Sequence, residues 1–479
     1  MAASFLFYDL ETSGINPRDA RIMQFAAQRT DMDLKPIGEP YNYHITLTPD
    51  ILPEPQAILV TGITPQKTIA DGITEAEFLR IFQQDIATPG TIFTGFNSVR
   101  FDDEFMRFLH YRNFYDPYEW SWRDNRSRWD LLDVVRMTRA LRPDGITWPF
   151  ASDGTATNRL ELLTDANNLA HNNAHDALGD VNATIALAQL IREKQPKLFD
   201  YLRDIRDKRS VAEVVESGDP FIYSSGKYSA ETEKTTAVTY LAPVQGQAGA
   251  SLVFDLRHNP SELLQYSADD IAKALLQRHD ERSFHIPIKV IKYNRCPAVA
   301  PLGVLDESSQ KRLQLDLKIV QKQHALVRQQ ASALASLMSD ALDQVATQRQ
   351  TTIVANEIAV DAQLYDGFFK DNDKTKMEVV RNLEPANISP AEVQFNDVRL
   401  NALLPLSKAH NYPDTLTSEE RIAWEEFCKH RLTVGGENSR LQRFVKSLQT
   451  LAVDTSLSSE HQYLLEELKL YAESLARVD

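Results

Sequence analysis

The stretch Phe5-Leu6-Phe7-Tyr8-Asp9-Leu10-Glu11-Thr12-Ser13-Gly14 decides how the rest of the chain is read. An apolar run of strand character ends on two carboxylates, two residues apart, just before a turn. Side chains on a strand alternate between faces, so Asp9 and Glu11 project from the same one. Neighbouring carboxylates repel unless positive charge sits between them, and hard oxygen ligands suit Mg2+ or Mn2+. A bare Asp-x-Glu is most often a solvated pair at a strand end. The reading therefore depends on what lies downstream.

Two further segments complete a candidate metal site. Phe96-Asn97-Ser98-Val99-Arg100-Phe101-Asp102-Asp103-Glu104-Phe105 follows a short apolar strand at 91–94. It opens a helical pattern with Phe101, Phe105, Phe108 and Leu109 on one face, which places Asp102 near a helix N-terminus. In Asn172-Asn173-Ala174-His175-Asp176-Ala177-Leu178-Gly179-Asp180 a polar loop leads into a helix patterned by Val181, Ile185, Ala188 and Ile191. Asp180 falls in its first turns and His175 on the loop before it. Taken singly, each residue has an ordinary alternative: a cap, a favourable charge at a helix start, a loop histidine. Their joint occurrence in this order is what carries weight.

Asp9-x-Glu11, Asn97-x-x-x-Phe101-Asp102 and His175-x4-Asp180 resemble the three exonuclease motifs of the DEDD superfamily, in its histidine branch. Polymerase proofreading subunits and oligoribonucleases share those motifs. The segments Asn113-Phe114-Tyr115-Asp116-Pro117-Tyr118, Ser127-Arg128-Trp129-Asp130-Leu131-Leu132-Asp133 and Asp361-Ala362-Gln363-Leu364-Tyr365-Asp366-Gly367-Phe368-Phe369 are closer to the bacterial exonuclease I family, over nearly the full length. All five motif residues are intact. The resemblance implies an α/β, RNase H-like exonuclease domain, a small SH3-like β module and a C-terminal helical domain around a groove for a single strand. It also implies release of nucleoside 5′-monophosphates from a 3′ end, in DNA repair and recombination.

Composition sets the bounds. The 479 residues suffice for two to four domains, and 43% hydrophobic with 25% charged residues is a globular profile. No apolar run approaches the roughly 18 residues of a membrane span, and no signal pattern opens the chain. Cys296 and Cys428 form neither a disulfide framework nor a zinc cluster, so a reducing cytoplasm is expected. A net charge of −15 argues against a general basic coat, so a nucleic-acid enzyme of this composition must concentrate positive charge in a groove.

Patterning divides the chain at about 196 and 350. Residues 1–196 alternate strands near 5–10, 22–28 and 91–95 with helices near 75–87, 101–112 and 176–195, the last closed by Pro196. Within 197–350, β-rich runs at 235–244, 251–256 and 286–294 precede a stretch from 306 to about 349 free of Gly and Pro. There Leu313, Leu317, Val320, His324, Val327, Ala331, Leu334 and Met338 mark helix with one apolar face. Residues 351–479 read as helical, most clearly at 418–431 and 456–475.

The candidate chemistry is phosphodiester hydrolysis with two Mg2+ ions, Mn2+ being a substitute. Asp9, Glu11, Asp102 and Asp180 supply the charge that holds them. His175, with a reference pKa of about 6.5, is the candidate general base. Residues 112–129 hold Arg112, Arg123, Arg126 and Arg128 and three of the five tryptophans, Trp120, Trp122 and Trp129. Aromatic faces stack on unpaired bases, though large rings are usually core. Tyr118 and Trp122 are the chosen stacking rings. Arg159 matches a phosphate-contacting arginine by resemblance, with Arg107 and Arg136 as further backbone contacts. Tyr365, Phe368 and Phe369 fit either a strand-contacting or a core role. The resemblance adds one partner, the acidic C-terminal tail of the single-stranded DNA-binding protein, with Arg142, Tyr201 and Arg312 as its contact points. The protein is expected to act as a monomer. Two other readings remain open at this level: a 3′→5′ exoribonuclease, since no residue shows how a 2′-hydroxyl is treated, and a noncatalytic nucleic-acid-binding protein, which would leave the five motif residues unexplained.

Overall fold

The computed structural model describes residues 3–169, 176–278, 281–354 and 359–476. The opening apolar run becomes β1 (Ser4–Thr12), the central strand of a five-stranded sheet of order β3-β2-β1-β4-β5. β2 (Ile22–Thr30) and β3 (Tyr41–His44) extend it antiparallel, while β4 (Thr91–Gly95) and β5 (Ser127–Asp130) extend it parallel. Alternation along β1 splits its side chains between two cores. Phe5 and Phe7 join the core that contains Val181, Leu187 and Ile191 of the helix Ala177–Lys194. Leu6, Tyr8 and Leu10 join the core containing Phe105, Met106 and Leu109 of the helix Asp102–Arg112. Each acid-bearing helix therefore covers one face of the strand that ends in Asp9 and Glu11.

The helix Asp102–Arg112 departs from the single-faced pattern expected of it. Every residue but Glu104 is buried, because Phe108 and Tyr111 pack into a third core with Leu364, Met377 and Leu403 of the helical region. The helix is sandwiched between the sheet and that region. The segment at 75–87 is an α-helix, Glu75–Ile81, that continues in π geometry over Phe82–Ile86. Pro196 does not merely follow a helix end. It occupies the first turn of a new helix, Pro196–Asp204, where its missing N–H costs nothing.

A second five-stranded sheet, antiparallel throughout, has the order β10-β6-β7-β8-β9. β7 (Thr235–Pro243), β8 (Ala250–Asp255) and β9 (Ile288–Lys292) match the three β-rich runs to within two residues at each end. β6 (Phe221–Ser224) and β10 (Ala298–Pro301) are four-residue strands that periodicity did not reveal. The helix Leu317–Val354 lies across β7, with Val320, Val327, Leu334 and Met338 buried in the same core as Phe5 and Phe7. The predicted apolar face is thus used for packing within one chain rather than for a coiled coil. It is preceded by a separate turn of helix, Glu307–Arg312, and the break is marked by Gln314 at φ 53°. The remainder is helical, including Ser418–Thr433, Arg440–Ala452 and Ser459–Ala476. Among the described residues no helix is long and apolar enough to cross a membrane.

Candidate metal centre

Asp9 and Glu11 continue the Phe5–Phe7 face of β1, and Asp180 comes to them from the first turn of the helix that covers it. One carboxylate oxygen from each of Asp9, Glu11 and Asp180 lies within 4.8 Å of the others. Asp102 approaches from the opposite helix, and its Oδ1 accepts a hydrogen bond of 3.1 Å from the Leu10 amide. That bond fixes its carboxylate against the strand between the two strand acids.

The loop that delivers Asp102 is tightly determined. A Cβ at Gly95 would lie 2.8 Å from the Tyr8 carbonyl oxygen, and Asn97 adopts φ 70°, a conformation asparagine tolerates. Asp130 then accepts from the Asn97 and Val99 amides at 3.0 and 3.3 Å. Arg100 pairs with Asp133, which also takes Arg136 at 2.6 Å. Asp103, beside Asp102, is held by the Tyr8 hydroxyl at 2.6 Å and by Arg128.

The electrostatics show an acid cluster short of positive charge. Burial, then Asp9, Asp180 and Asp176, push the Glu11 carboxyl up to about 9. Burial and the charges of Asp180 and Asp176 raise Asp9 well above its ordinary range. Asp102 is raised likewise by burial and by Asp9. Asp176, which sequence reasoning did not single out, is thus a further negative charge on this cluster. It precedes the helix as its N-cap residue, and its backbone carbonyl accepts from the Asp180 amide at 3.0 Å. Its only signal in the sequence is its place directly after His175. Oxygen-only donors, partly buried and mutually repelling, fit hard divalent cations. His175 lies outside the described residues.

The proposed strand-binding residues divide by exposure. Trp120 and Trp129 are core rings, 1% and 2% exposed. Arg112 is buried against Glu75 at 2.5 Å, Arg126 donates to the Ala87 carbonyl, and Arg128 is taken by Asp103. Most of the Arg- and Trp-rich stretch therefore builds the fold. Trp122, at 59% exposed, and Arg123, exposed and paired with Glu119, are the exceptions, and Tyr118 is half-buried. Trp122 and Tyr118 line a cleft of ≈ 210 Å³ with Phe368, Phe369 and Lys374 of the helical region. Phe368, 86% exposed, has its ring centroid 6.1 Å from that of Tyr118. Phe369 instead stacks on Tyr111.

Arg107 is buried beneath Tyr118, with its guanidinium carbon 5.6 Å from the ring centroid. It is paired with Glu104 at 2.6 Å. Glu104 also takes Arg295 at 2.5 Å and the Tyr365 hydroxyl, so one carboxylate ties the first sheet's helix to both other regions. Nothing in the sequence marked it. Arg159 is exposed and paired with Glu161. Arg142 and Arg312 meet where the helix Leu131–Leu141 ends: Arg142 donates to the Val304 carbonyl at 2.8 Å, and Arg312 to the Ala140 carbonyl at 2.9 Å. Tyr201 is half-buried in the neighbouring helix Pro196–Asp204, with no hydrogen-bond partner for its hydroxyl among the described residues.

Three family models match consecutive parts of the chain: Exonuclease over residues 6–188, Exonuclease I SH3-like domain over 206–344, and Exonuclease I C-terminal domain over 358–475. The curated Exodeoxyribonuclease I of Haemophilus influenzae is 38% identical over 474 residues, covering 98% of each chain. The zinc-bound Escherichia coli exonuclease I–ssDNA complex superposes with a TM-score of 0.90 at 37% identity, covering 100% of both chains. A crystal structure of SSB/exonuclease I with an inhibitor gives a TM-score of 0.88 at 37% identity, covering 99% of this chain and 100% of that one. With the intact carboxylate cluster at the end of β1 and near-complete coverage by these relatives, the chain belongs to the exonuclease I family and is an exodeoxyribonuclease I-like enzyme.

Proposed function

We propose that this protein is a divalent-metal-dependent 3′→5′ exonuclease that shortens single-stranded DNA and releases nucleoside 5′-monophosphates, in the service of DNA repair. The observation that carries the reading is the convergence of Asp9, Glu11 and Asp180 within 4.8 Å. Asp102 is pinned beside them. Two Mg2+ ions, with Mn2+ as a substitute, would neutralise this cluster and stabilise both the attacking and the leaving oxygen of a phosphodiester. Asp9, Glu11, Asp102 and Asp180 hold and orient; His175 takes the proton from the attacking water. Tyr118 and Trp122 stack on bases, and Arg159 turns to the reacting phosphate. Arg107 and Arg136, each with one guanidinium edge already engaged by a carboxylate, are secondary backbone contacts. The division at 1–196, 197–350 and 351–479 and a cytoplasmic location belong to the same reading.

A gel assay with 5′-labelled strands tests it. Single-stranded DNA should yield a ladder shortened from its 3′ end with Mg2+ and remain intact with EDTA. A ladder on RNA and none on DNA would replace the reading with an exoribonuclease. Trp122→Ala and Tyr118→Ala should each weaken strand affinity by about 1–3 kcal/mol, measured by fluorescence anisotropy in EDTA. Normal affinity in both variants would remove the stacking role.

Metal removal has a pH signature. Below about pH 4.5 Glu11 is protonated folded and unfolded alike. Between there and pH 9 only the unfolded chain releases that proton, so metal-free stability falls as pH rises. Added Mg2+ should therefore raise the Tm more at pH 8 than at pH 5, and Glu11→Gln should shrink the difference. Equal Mg2+ shifts at both pH values would contradict the cluster's role.

For the single-stranded DNA-binding protein, Arg142 and Arg312 offer guanidiniums to an acidic tail, beside Tyr201. Arg142→Ala with Arg312→Ala should abolish peptide binding measured by anisotropy, and unchanged binding would rule out this placement.

A further inference from the structure

A cavity of ≈ 900 Å³ opens in the SH3-like module, within the range of small-molecule sites. Its floor is apolar: Leu252 and Ile288 from β8 and β9, and Met338 and Leu342 from the helix Leu317–Val354. Among the described residues, five cations line it, Lys227, Lys234, Arg257, Arg282 and Lys289, against one carboxylate, Asp255. Such a concentration of positive charge stands out in a chain of net −15.

The one acid does not balance them. Asp255 already accepts from the Thr236 hydroxyl at 2.7 Å and the Arg257 amide at 3.1 Å. Arg257 has that carboxylate only at 3.9 Å, and its Nη2 is used by the Thr235 and Leu313 carbonyls. Among the described residues, Arg282 Nε is buried without a hydrogen-bond partner. Burial, then the charges of Arg282 and Lys227, depress the Lys289 ammonium, and burial with Arg136 depresses Lys234. Lys227 and Arg282 thus each repel Lys289 in the absence of an anion. The cavity also carries an aromatic wall with a spare polar group. Tyr228 is 7% exposed, its hydroxyl is buried and unpartnered among the described residues, and Lys289 Nζ lies 5.8 Å from its ring centroid. The His258 and His285 rings, 4.4 Å apart, complete the rim.

We infer that this cavity binds a small phosphate-bearing molecule of nucleotide size. The phosphate sits among Lys227, Arg282 and Lys289, and the organic part lies against Tyr228 and the apolar floor. Charge-assisted bonds from these cations are the strong kind, and a phosphate supplies the acceptors they lack. The inference is independent of the metal-centre reading.

Calorimetry on the full-length protein in EDTA tests it, with thymidine 5′-monophosphate, inorganic phosphate and thymidine as probes. The monophosphate should bind, phosphate more weakly, and thymidine not measurably. Lys227→Gln with Lys289→Gln should lose about tenfold or more in affinity. Tyr228→Phe, which keeps the ring packing, should lose about two- to fivefold. Asp9→Ala should bind the monophosphate as the wild type does. Circular dichroism checks the fold, and Tyr228→Phe decides if the double variant unfolds. The inference is overturned by no binding of the monophosphate, or by unchanged affinity in the folded variants. It is also overturned by binding lost in Asp9→Ala, which would place the ligand at the metal centre. An oligothymidylate that needs these lysines while the monophosphate fails to bind would assign the cavity to the strand and overturn it too.

Discussion

Asp9→Ala and Asp180→Ala should each abolish hydrolysis of single-stranded DNA while leaving the protein folded. Both belong to the set whose oxygens converge within 4.8 Å. Substitutions that touch a metal only through another residue already cost ~10–100-fold. Loss of a direct oxygen ligand from a cluster of this kind should exceed that, leaving less than about 1% of the rate. The fold should not suffer. Burial and neighbouring carboxylates hold Asp9 far above its ordinary range, so removing either charge relieves repulsion in the metal-free state. Single-turnover rates and thermal melts in EDTA separate the two effects. An Asp9→Ala protein with wild-type rate would remove Asp9 from the site, and one that melts early would mark it as structural.

The second large effect concerns the seam between the first sheet and the helical region. Asp361 is fully buried and paired with both Arg21 and Arg431, the latter at 2.8 Å. Asp50, equally buried, meets His410 and Arg431 at 3.3 Å each. Asp361→Ala leaves the buried Arg21 guanidinium without its carboxylate and Arg431 with Asp50 alone, and breaking such a network by removing one partner costs ~3–5 kcal/mol. The same network sets an acid limit. Burial alone would raise Asp361, but Arg21 and Arg431 overcome it and hold the carboxyl at about 2. His410 and Arg431 likewise hold Asp50 well below its ordinary range against its burial. Both folded values lie below the unfolded one, so this stability is fully present above about pH 4. It is lost as pH falls towards 2. Thermal melts between pH 2 and 7 should show a steep acid loss in the wild type and a shallower one from a lower start in Asp361→Ala. Superimposable curves would show that the network contributes nothing.

How far the sequence was legible depends on the range of each interaction. The alternation that puts Asp9 and Glu11 on one face is a two-residue property, and it survives intact in β1. Asp102 and Asp180 were placed by helix starts, also local, and they fall in the first turns of Asp102–Arg112 and Ala177–Lys194. Local pattern could not show that the two helices cover opposite faces of β1, which is what brings their acids together. Nor could it separate Trp122 from Trp120. Two residues apart in an irregular turn, one is exposed and the other is core, because Trp120 packs on Phe93 and Phe82 from distant elements. The bonds of Glu104 to Arg295 and Tyr365 span 191 and 261 residues and leave no local trace. β6 and β10 are four residues each, too short for a period to declare itself, and they exist through pairing with one another and with β7.

The central claim is that the acids at the end of β1 are a divalent-metal site, and Mn2+ binding followed by electron paramagnetic resonance tests it most directly. With a single strand present, the wild type should bind two Mn2+ ions, and Asp9→Ala, still folded, should lose them. Mn2+ binding of unchanged stoichiometry and affinity in Asp9→Ala would contradict the account.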